Sequence, residues 1–161
     1  MFLYRIRVPA RIRIPVTAFG LAVLAGGAHG HSMAGKPEWA AFGMPGNAKD
    51  PARTVTVIAA TMRFKPDTID VRRGETIRFV ITNNGPTKHE FVIGDHGFHM
   101  QHIKEMEEMP DMPMDEENSV DLRPGQTKVL LWRFTNAGEF LFGCDIPGHF
   151  QSGMVGRIHV H

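Results

Sequence analysis

The chain has 161 residues, and its 18 Lys and Arg nearly balance its 17 Asp and Glu, giving a formal net charge of +1 at pH 7. This balance gives no reason to expect nucleic acid or an anionic membrane as a partner. The length suits one domain with one hydrophobic core.

The N-terminus has the order of a secretory signal peptide over residues 1–30. Four arginines precede an apolar run over residues 14–24, and small residues follow; this order is typical of export signals. A membrane anchor is the alternative, but a span needs about 20 apolar residues, and Pro15 and Thr17 interrupt this run. We predict cleavage after Ala28 or Gly30 and a periplasmic, mildly acidic mature chain with no stable membrane insertion.

Cys144 is the single cysteine of the sequence. An exported protein enters an oxidising compartment, yet one cysteine cannot form an intramolecular disulfide. A lone thiol there is exposed to oxidation unless it is buried, bridged to another chain or bound to a metal. One of these three conditions should therefore apply to Cys144.

The remaining sequence divides into a leader and a β domain. Residues 31–52 are rich in Gly, Pro and Ala without an apolar period, which predicts a flexible leader. From residue 53 to 161, short segments with alternating apolar residues are separated by turn signals such as 83–86, 123–125 and 136–138. Seven or eight such strands in about a hundred residues predict an all-β antiparallel sandwich or barrel.

One segment, residues 95–118, does not follow the strand pattern and is rich in His and Met. Its first part, 95–109, has the signals of a helix that Asp95 caps and Pro110 ends. Its second part contains Pro110 and Pro113 and is expected to be irregular. We call residues 95–118 the insertion.

The sharpest motif is a Cys144-x4-His149-x4-Met154 loop between two predicted strands, with His89 opening a strand upstream. Two imidazoles and a thiolate in a trigonal plane, with a weak axial thioether, suit both Cu(I) and Cu(II). Zinc is the alternative metal, but a thioether is a poor zinc ligand and structural zinc prefers more thiolates. The sequence therefore predicts one copper site with these four ligands.

At these residues the chain resembles the cupredoxins, the type 1 or blue copper proteins. The resemblance extends from about residue 54 to 161 and includes Pro66-x-x-Ile69-x-Val71-x-x-Gly74 and the ligand loop. It implies a Greek-key β-sandwich with copper near one end and His149 near the surface as an electron portal. It also implies that the backbone amide beside His89 steadies the sulfur.

The insertion departs from a simple electron carrier and looks like that of the periplasmic cupredoxins associated with copper resistance. On a helix, His99, His102 and Met106 share one face, so a second site for Cu(I) is a candidate. Its candidate ligands are His96, His99, Met100, His102, Met106, Met109, Met112 and Met114. The alternative is that Ile103 and Met106 pack on the sandwich while the histidines face solvent.

Two functions remain open from the sequence. The first is periplasmic copper tolerance, in which the protein binds copper and handles its redox chemistry. The second is a one-electron carrier, similar to plastocyanin or pseudoazurin, that serves a respiratory or denitrifying enzyme. A multicopper enzyme is disfavoured, because it needs further copper centres from paired His-x-His motifs and another domain. Copper ions and a periplasmic redox or copper-handling protein are the expected partners.

Overall fold

A computed structural model describes residues 38–50, 52–109 and 116–161. Within these ranges the chain forms a short 3-10 helix (Glu38–Ala41), one α-helix and ten strands. The α-helix, α1, is His96–Glu108. The strands are β1 (Met44–Pro45), β2 (Ala52–Ala60), β3 (Arg63–Lys65), β4 (Thr68–Val71), β5 (Thr76–Asn83), β6 (His89–Gly94), β7 (Ser119–Leu122), β8 (Thr127–Arg133), β9 (Gly138–Gly143) and β10 (Val155–Val160).

The strands form two five-stranded sheets, ordered β1-β8-β5-β2-β3 and β4-β10-β9-β6-β7. This confirms the predicted β-sandwich. The sheets are mixed rather than antiparallel throughout, because β2 pairs with β5 and β4 with β10 in parallel. After β3 the chain crosses to the second sheet as β4 and returns to the first as β5, and parallel neighbours require such a crossover.

The alternation of apolar residues explains which face of each strand is buried. In β5, Ile77, Phe79 and Ile81 have no exposed surface, as their spacing predicts. In β6 every residue is buried, since β7 and β9 flank it in the sheet and α1 packs against it. The core between the sheets is aromatic, and its largest fully buried side chains are Trp132, Phe79, Phe91, Phe134 and Phe142.

Part of the predicted leader packs on the sandwich. Phe42 is 2% exposed, the Trp132 Nε1–H donates to its carbonyl oxygen at 3.4 Å, and β1 pairs with the edge of β8. The packed domain therefore begins before residue 53, because Phe42 supplies core contacts that the surrounding Gly and Pro residues concealed in the sequence. The predicted signal peptide and both cleavage positions lie outside the described residues.

Helix α1 confirms the predicted first half of the insertion. Asp95 caps it by accepting a hydrogen bond from the Phe98 amide at 2.8 Å, and Met109 ends it. Within the predicted irregular stretch, residues 110–115, which include Met112 and Met114, lie outside the described residues. Within the part of the chain that the structure describes, no helix has the length and apolar character to cross a membrane.

Candidate metal centre

The fold brings the predicted ligands to one end of the second sheet. His89 is the first residue of β6, Cys144 follows the last residue of β9, and Met154 precedes β10. These three strands are neighbours in the order β10-β9-β6. Residues distant in sequence therefore meet because their strands begin or end at the same end of the sheet.

The loop from Cys144 to Met154 is closed by its own backbone hydrogen bonds. The Cys144 amide donates to the Met154 carbonyl at 3.1 Å, and the Met154 amide donates to the His149 carbonyl at 3.1 Å. A further bond from the His149 amide to the Ile146 carbonyl, at 2.9 Å, turns the first half of the loop. These bonds hold the half-buried His149 over the buried Cys144 and Met154.

Three donor atoms converge at this end of the sandwich. The Cys144 Sγ lies 3.2 Å from His149 Nδ1 and 4.0 Å from His89 Nδ1, and the two Nδ1 atoms are 3.4 Å apart. Among the residues described, this is the one group of three or more His, Cys, Asp or Glu whose donors all lie within 4.8 Å. The Glu90 amide donates to the Cys144 sulfur at 3.3 Å, as the resemblance implied.

Burial sets the protonation of these groups. It lowers the pKa of His149, and burial together with the charge of His149 lowers the pKa of His89. Burial raises the pKa of the Cys144 thiol to about 12, against the smaller opposing effect of the Glu90 amide. The imidazoles are thus held neutral, as metal binding requires, and the thiol releases its proton readily only when a metal cation takes its place on the sulfur. This donor set fits copper.

Asn83, which was predicted only as part of a turn, holds the segment before His89. Its Nδ2 donates to the carbonyls of Thr87 at 2.8 Å and Leu122 at 3.0 Å, and its Oδ1 accepts from the Gly85 amide at 2.8 Å. A Cβ at Gly85 would lie 3.1 Å from His89 Nε2. The turn signal at residues 83–86 therefore marks a segment that sets the position of the His89 ring.

The histidines of the insertion point in different directions. His96 is exposed, whereas His99 and His102 are 0% and 2% exposed. The expectation that the histidines face solvent is therefore wrong for His99 and His102, because α1 lies on β6 and β9 with these two residues on its inner side.

The remaining candidate ligands of a second copper site lie further out. Met100 and Met106 are half-buried, Met109 is 41% exposed, and Met112 and Met114 lie outside the described residues. Copper binding by the insertion stays a prediction.

Two buried acids lie beside the ligands and were not predicted as part of the site. Asp145 follows Cys144 and accepts hydrogen bonds from His99 Nδ1, with N···O distances of 2.8 and 2.9 Å. Glu90 follows His89, and its Oε1 lies 3.8 Å from His102 Nε2. Burial, and then the charge of Asp145, raises the pKa of Glu90 to about 8. The one sequence signal for both was a carboxylate directly after a ligand.

Comparisons with known proteins agree with this architecture. The family model for a cupredoxin-like domain matches residues 37–156. A copper-resistant cuproprotein CopI of Rubrivivax gelatinosus is 46% identical over 83% of this chain and 79% of its own length. The CopI of Pseudomonas aeruginosa is 36% identical over 94% of this chain and 95% of its own.

Among solved structures, reduced auracyanin from Roseiflexus castenholzii superimposes with a TM-score of 0.60 and 21% identity, covering 67% of this chain and 96% of auracyanin. At that identity the match concerns the fold. The family model includes the ligand loop, and these two curated relatives match most of the sequence. The chain therefore belongs to the cupredoxin-like family.

Proposed function

We propose that this protein is an exported type 1 copper protein of bacterial copper resistance, with His89, Cys144, His149 and Met154 as its copper ligands. The observation that carries the proposal is the convergence of two imidazole Nδ1 atoms and one thiol sulfur within 4.8 Å of one another. Met154 closes the same loop, and its side chain is fully buried. It is the fourth ligand in this proposal.

Each residue has a distinct part in holding the metal. Cys144 supplies the anionic soft donor, and the imidazoles of His89 and His149 supply donors that Cu(II) accepts. Bound copper supplies one-electron chemistry, and the hydrogen bonds that close the loop limit movement of the donors between the two oxidation states. The half-buried His149, whose Nδ1 lies 3.2 Å from the sulfur, offers an electron a route to the surface.

The physiological assignment to copper resistance is supported by the relatives. Two proteins named for copper resistance match the chain at 46% and 36% identity, one of them over 94% of this chain. The insertion adds donors beyond those that one copper needs. His99 Nε2 and both ring nitrogens of His102 have no hydrogen-bond partner among the described residues. We propose that the insertion binds additional Cu(I) or contacts a periplasmic copper-handling partner.

The second candidate is a periplasmic one-electron carrier for a respiratory or denitrifying enzyme. The observation that favours it is the position of His149, which lies at the surface while Cys144 and Met154 are fully buried. Such an arrangement suits electron exchange with a docked protein. The two functions share one copper centre and differ in what the cell loses without it.

The copper centre is tested by metal analysis with optical and EPR spectra of the mature protein and of Cys144→Ala. We expect the wild type to show an intense visible thiolate-to-copper absorption and the variant to lose it, because Cys144 is the single cysteine. A variant that keeps this absorption would disprove the assignment. His159→Ala is a matched control, since His159 lies on β10, away from the loop, and pairs with Glu139.

A growth assay separates the two physiological functions. Deletion of the gene should sensitise cells to copper under the first function, and should impair respiration or denitrification without copper stress under the second. Anaerobic titration with Cu(I) tests the insertion. A stoichiometry of one copper per chain, unchanged when residues 95–118 are deleted, would exclude additional copper sites there.

A further inference from the structure

The ring of His99 contacts the ligand loop at two points. Its Nδ1 lies 2.8 and 2.9 Å from the two carboxylate oxygens of Asp145. Its ring centroid lies 4.9 Å from that of Phe150, with the planes tilted by 34°. Asp145 directly follows Cys144, and Phe150 directly follows His149. Helix α1 thus contacts the loop one residue beyond each of two proposed ligands.

The contact between His99 and Asp145 is buried away from water. Both side chains in this pair are 0% exposed. A carboxylate removed from water needs hydrogen-bond donors, and among the described side chains His99 supplies them. The His99 N–H opposite Asp145 therefore stabilises the buried carboxylate in its position. The side chain next to Cys144 therefore has its orientation set by the helix.

The residue before Cys144 leaves room for this arrangement. A Cβ at Gly143 would lie 2.7 Å from Phe150 Cδ2 and 3.1 Å from His99 Cε1. Any larger residue would displace one of the two rings. Gly143 and Asp145, on both sides of Cys144, are thus packed against the same imidazole. The Asp95 cap, one turn earlier, fixes the start of the helix that carries it.

We propose that His99 is a positioning residue of the copper centre, which orients Cys144 through Asp145 and His149 through Phe150. The inference rests on the proposed copper ligands. It gives the helix of the insertion a role in the type 1 site itself. The hydrogen bond from His99 also reduces the negative charge that Asp145 presents near the sulfur. Loss of this donor favours Cu(II) over Cu(I), because more negative charge stabilises the more positive ion.

The test compares three variants of the mature protein loaded with one equivalent of copper. His99→Phe keeps a ring against Phe150 and removes the donor, and His99→Gln restores an N–H donor. Gln101→Ala is the control, because Gln101 is exposed on α1 and its side chain bonds to Glu105 of the same helix. We expect His99→Phe to shift the Cu(II)/Cu(I) equilibrium toward Cu(II) by about tenfold, a reduction potential lower by about 59 mV. Its EPR copper hyperfine splitting should change as well.

The two other variants should match the wild type. The proposal is overturned if His99→Phe has wild-type potential and EPR parameters, or if His99→Gln or Gln101→Ala shifts as far as His99→Phe does. A shift confined to His99→Phe supports it. These readouts respond to the geometry and charge at the sulfur, whereas a purely structural role would alter only the free energy of unfolding.

A second measurement tests the contact between His99 and Asp145 even if His99→Phe does not fold. In the metal-free wild type, the His99 Nδ1–H should give a slowly exchanging imidazole resonance in 15N-labelled protein, and its absence would overturn the proposal. If the wild type shows no thiolate-to-copper absorption, the proposed function fails, and the role of His99 at copper fails with it. The NMR result then still reports whether His99 and Asp145 are paired.

Discussion

The thiol of metal-free Cys144 should resist ionisation far above neutral pH. Burial raises its pKa from an ordinary value of 9.0 to about 12. At about pH 9 an unperturbed thiol is half ionised, whereas this one is ionised in about one molecule in a thousand. Metal-free protein should therefore react very slowly with thiol reagents until unfolding exposes the sulfur.

Ultraviolet absorbance of the thiolate during a pH titration measures this directly. Cys144 is the single cysteine, and the single tyrosine, Tyr4, lies in the predicted signal, so a chain beginning at residue 31 has no other group that ionises with a similar signal. Cys144→Ala supplies the baseline. A thiolate signal at half its final height near pH 9 would refute the argument that burial controls this site.

The same shift has a consequence for stability. Above about pH 9 the unfolded thiol releases its proton while the folded thiol retains it, so the unfolded state binds fewer protons. The free energy of unfolding of the metal-free protein should then fall by about 1.4 kcal/mol per pH unit between about 9 and 12 from this group alone. Cys144→Ala should lack this contribution, which denaturant unfolding at several pH values would reveal.

Three further outcomes are expected. Met154→Leu should retain copper and raise the reduction potential, since loss of an axial donor disfavours Cu(II); an unchanged potential in voltammetry would show that Met154 is not axial. Gly85→Ala places a Cβ 3.1 Å from His89 Nε2. Competitive titration should therefore show copper affinity weakened about tenfold, and an unchanged affinity would show that the Cβ does not displace the ring. In metal-free protein, Glu90 should contribute a loss of stability as pH rises from about 4.5 to 8, because folded Glu90 retains a proton that unfolded Glu90 releases. Denaturant unfolding of Glu90→Gln should lack this contribution, and a pH dependence identical to that of the wild type would contradict it.

The strands were predictable because one face of each is apolar. The alternation in β5 placed Ile77, Phe79 and Ile81 inside correctly. Alternation says which face is buried but not which strand is the neighbour, so the parallel pairing of β2 with β5 was not visible. The packing of Phe42 was hidden for a different reason, since one aromatic residue in a Gly-rich segment has no period.

At the metal centre, the spacing of Cys144, His149 and Met154 was enough to identify the loop, because one tight loop between two strands brings its ends together. The direction of the insertion helix was not predictable in the same way. The helix face with His99, His102 and Ile103 contains both polar and apolar residues. Such a face can pack against the sandwich or face solvent, so its sequence does not predict the orientation of the helix. The buried acids Asp145 and Glu90 lie opposite His99 and His102, and they favour the orientation in which this helix face packs inward.

The placement of His99 changes how deletion of the insertion should be interpreted. Removing residues 95–118 takes away the candidate ligands for additional Cu(I), but it also removes the imidazole that pairs with Asp145 beside Cys144. A deletion that lowers copper stoichiometry and also alters the type 1 spectrum would therefore mix two effects. Point variants separate them. Loss of Met106 in the last turn of α1 or of Met109 at its end tests copper capacity, whereas His99→Gln and His99→Phe test the type 1 centre.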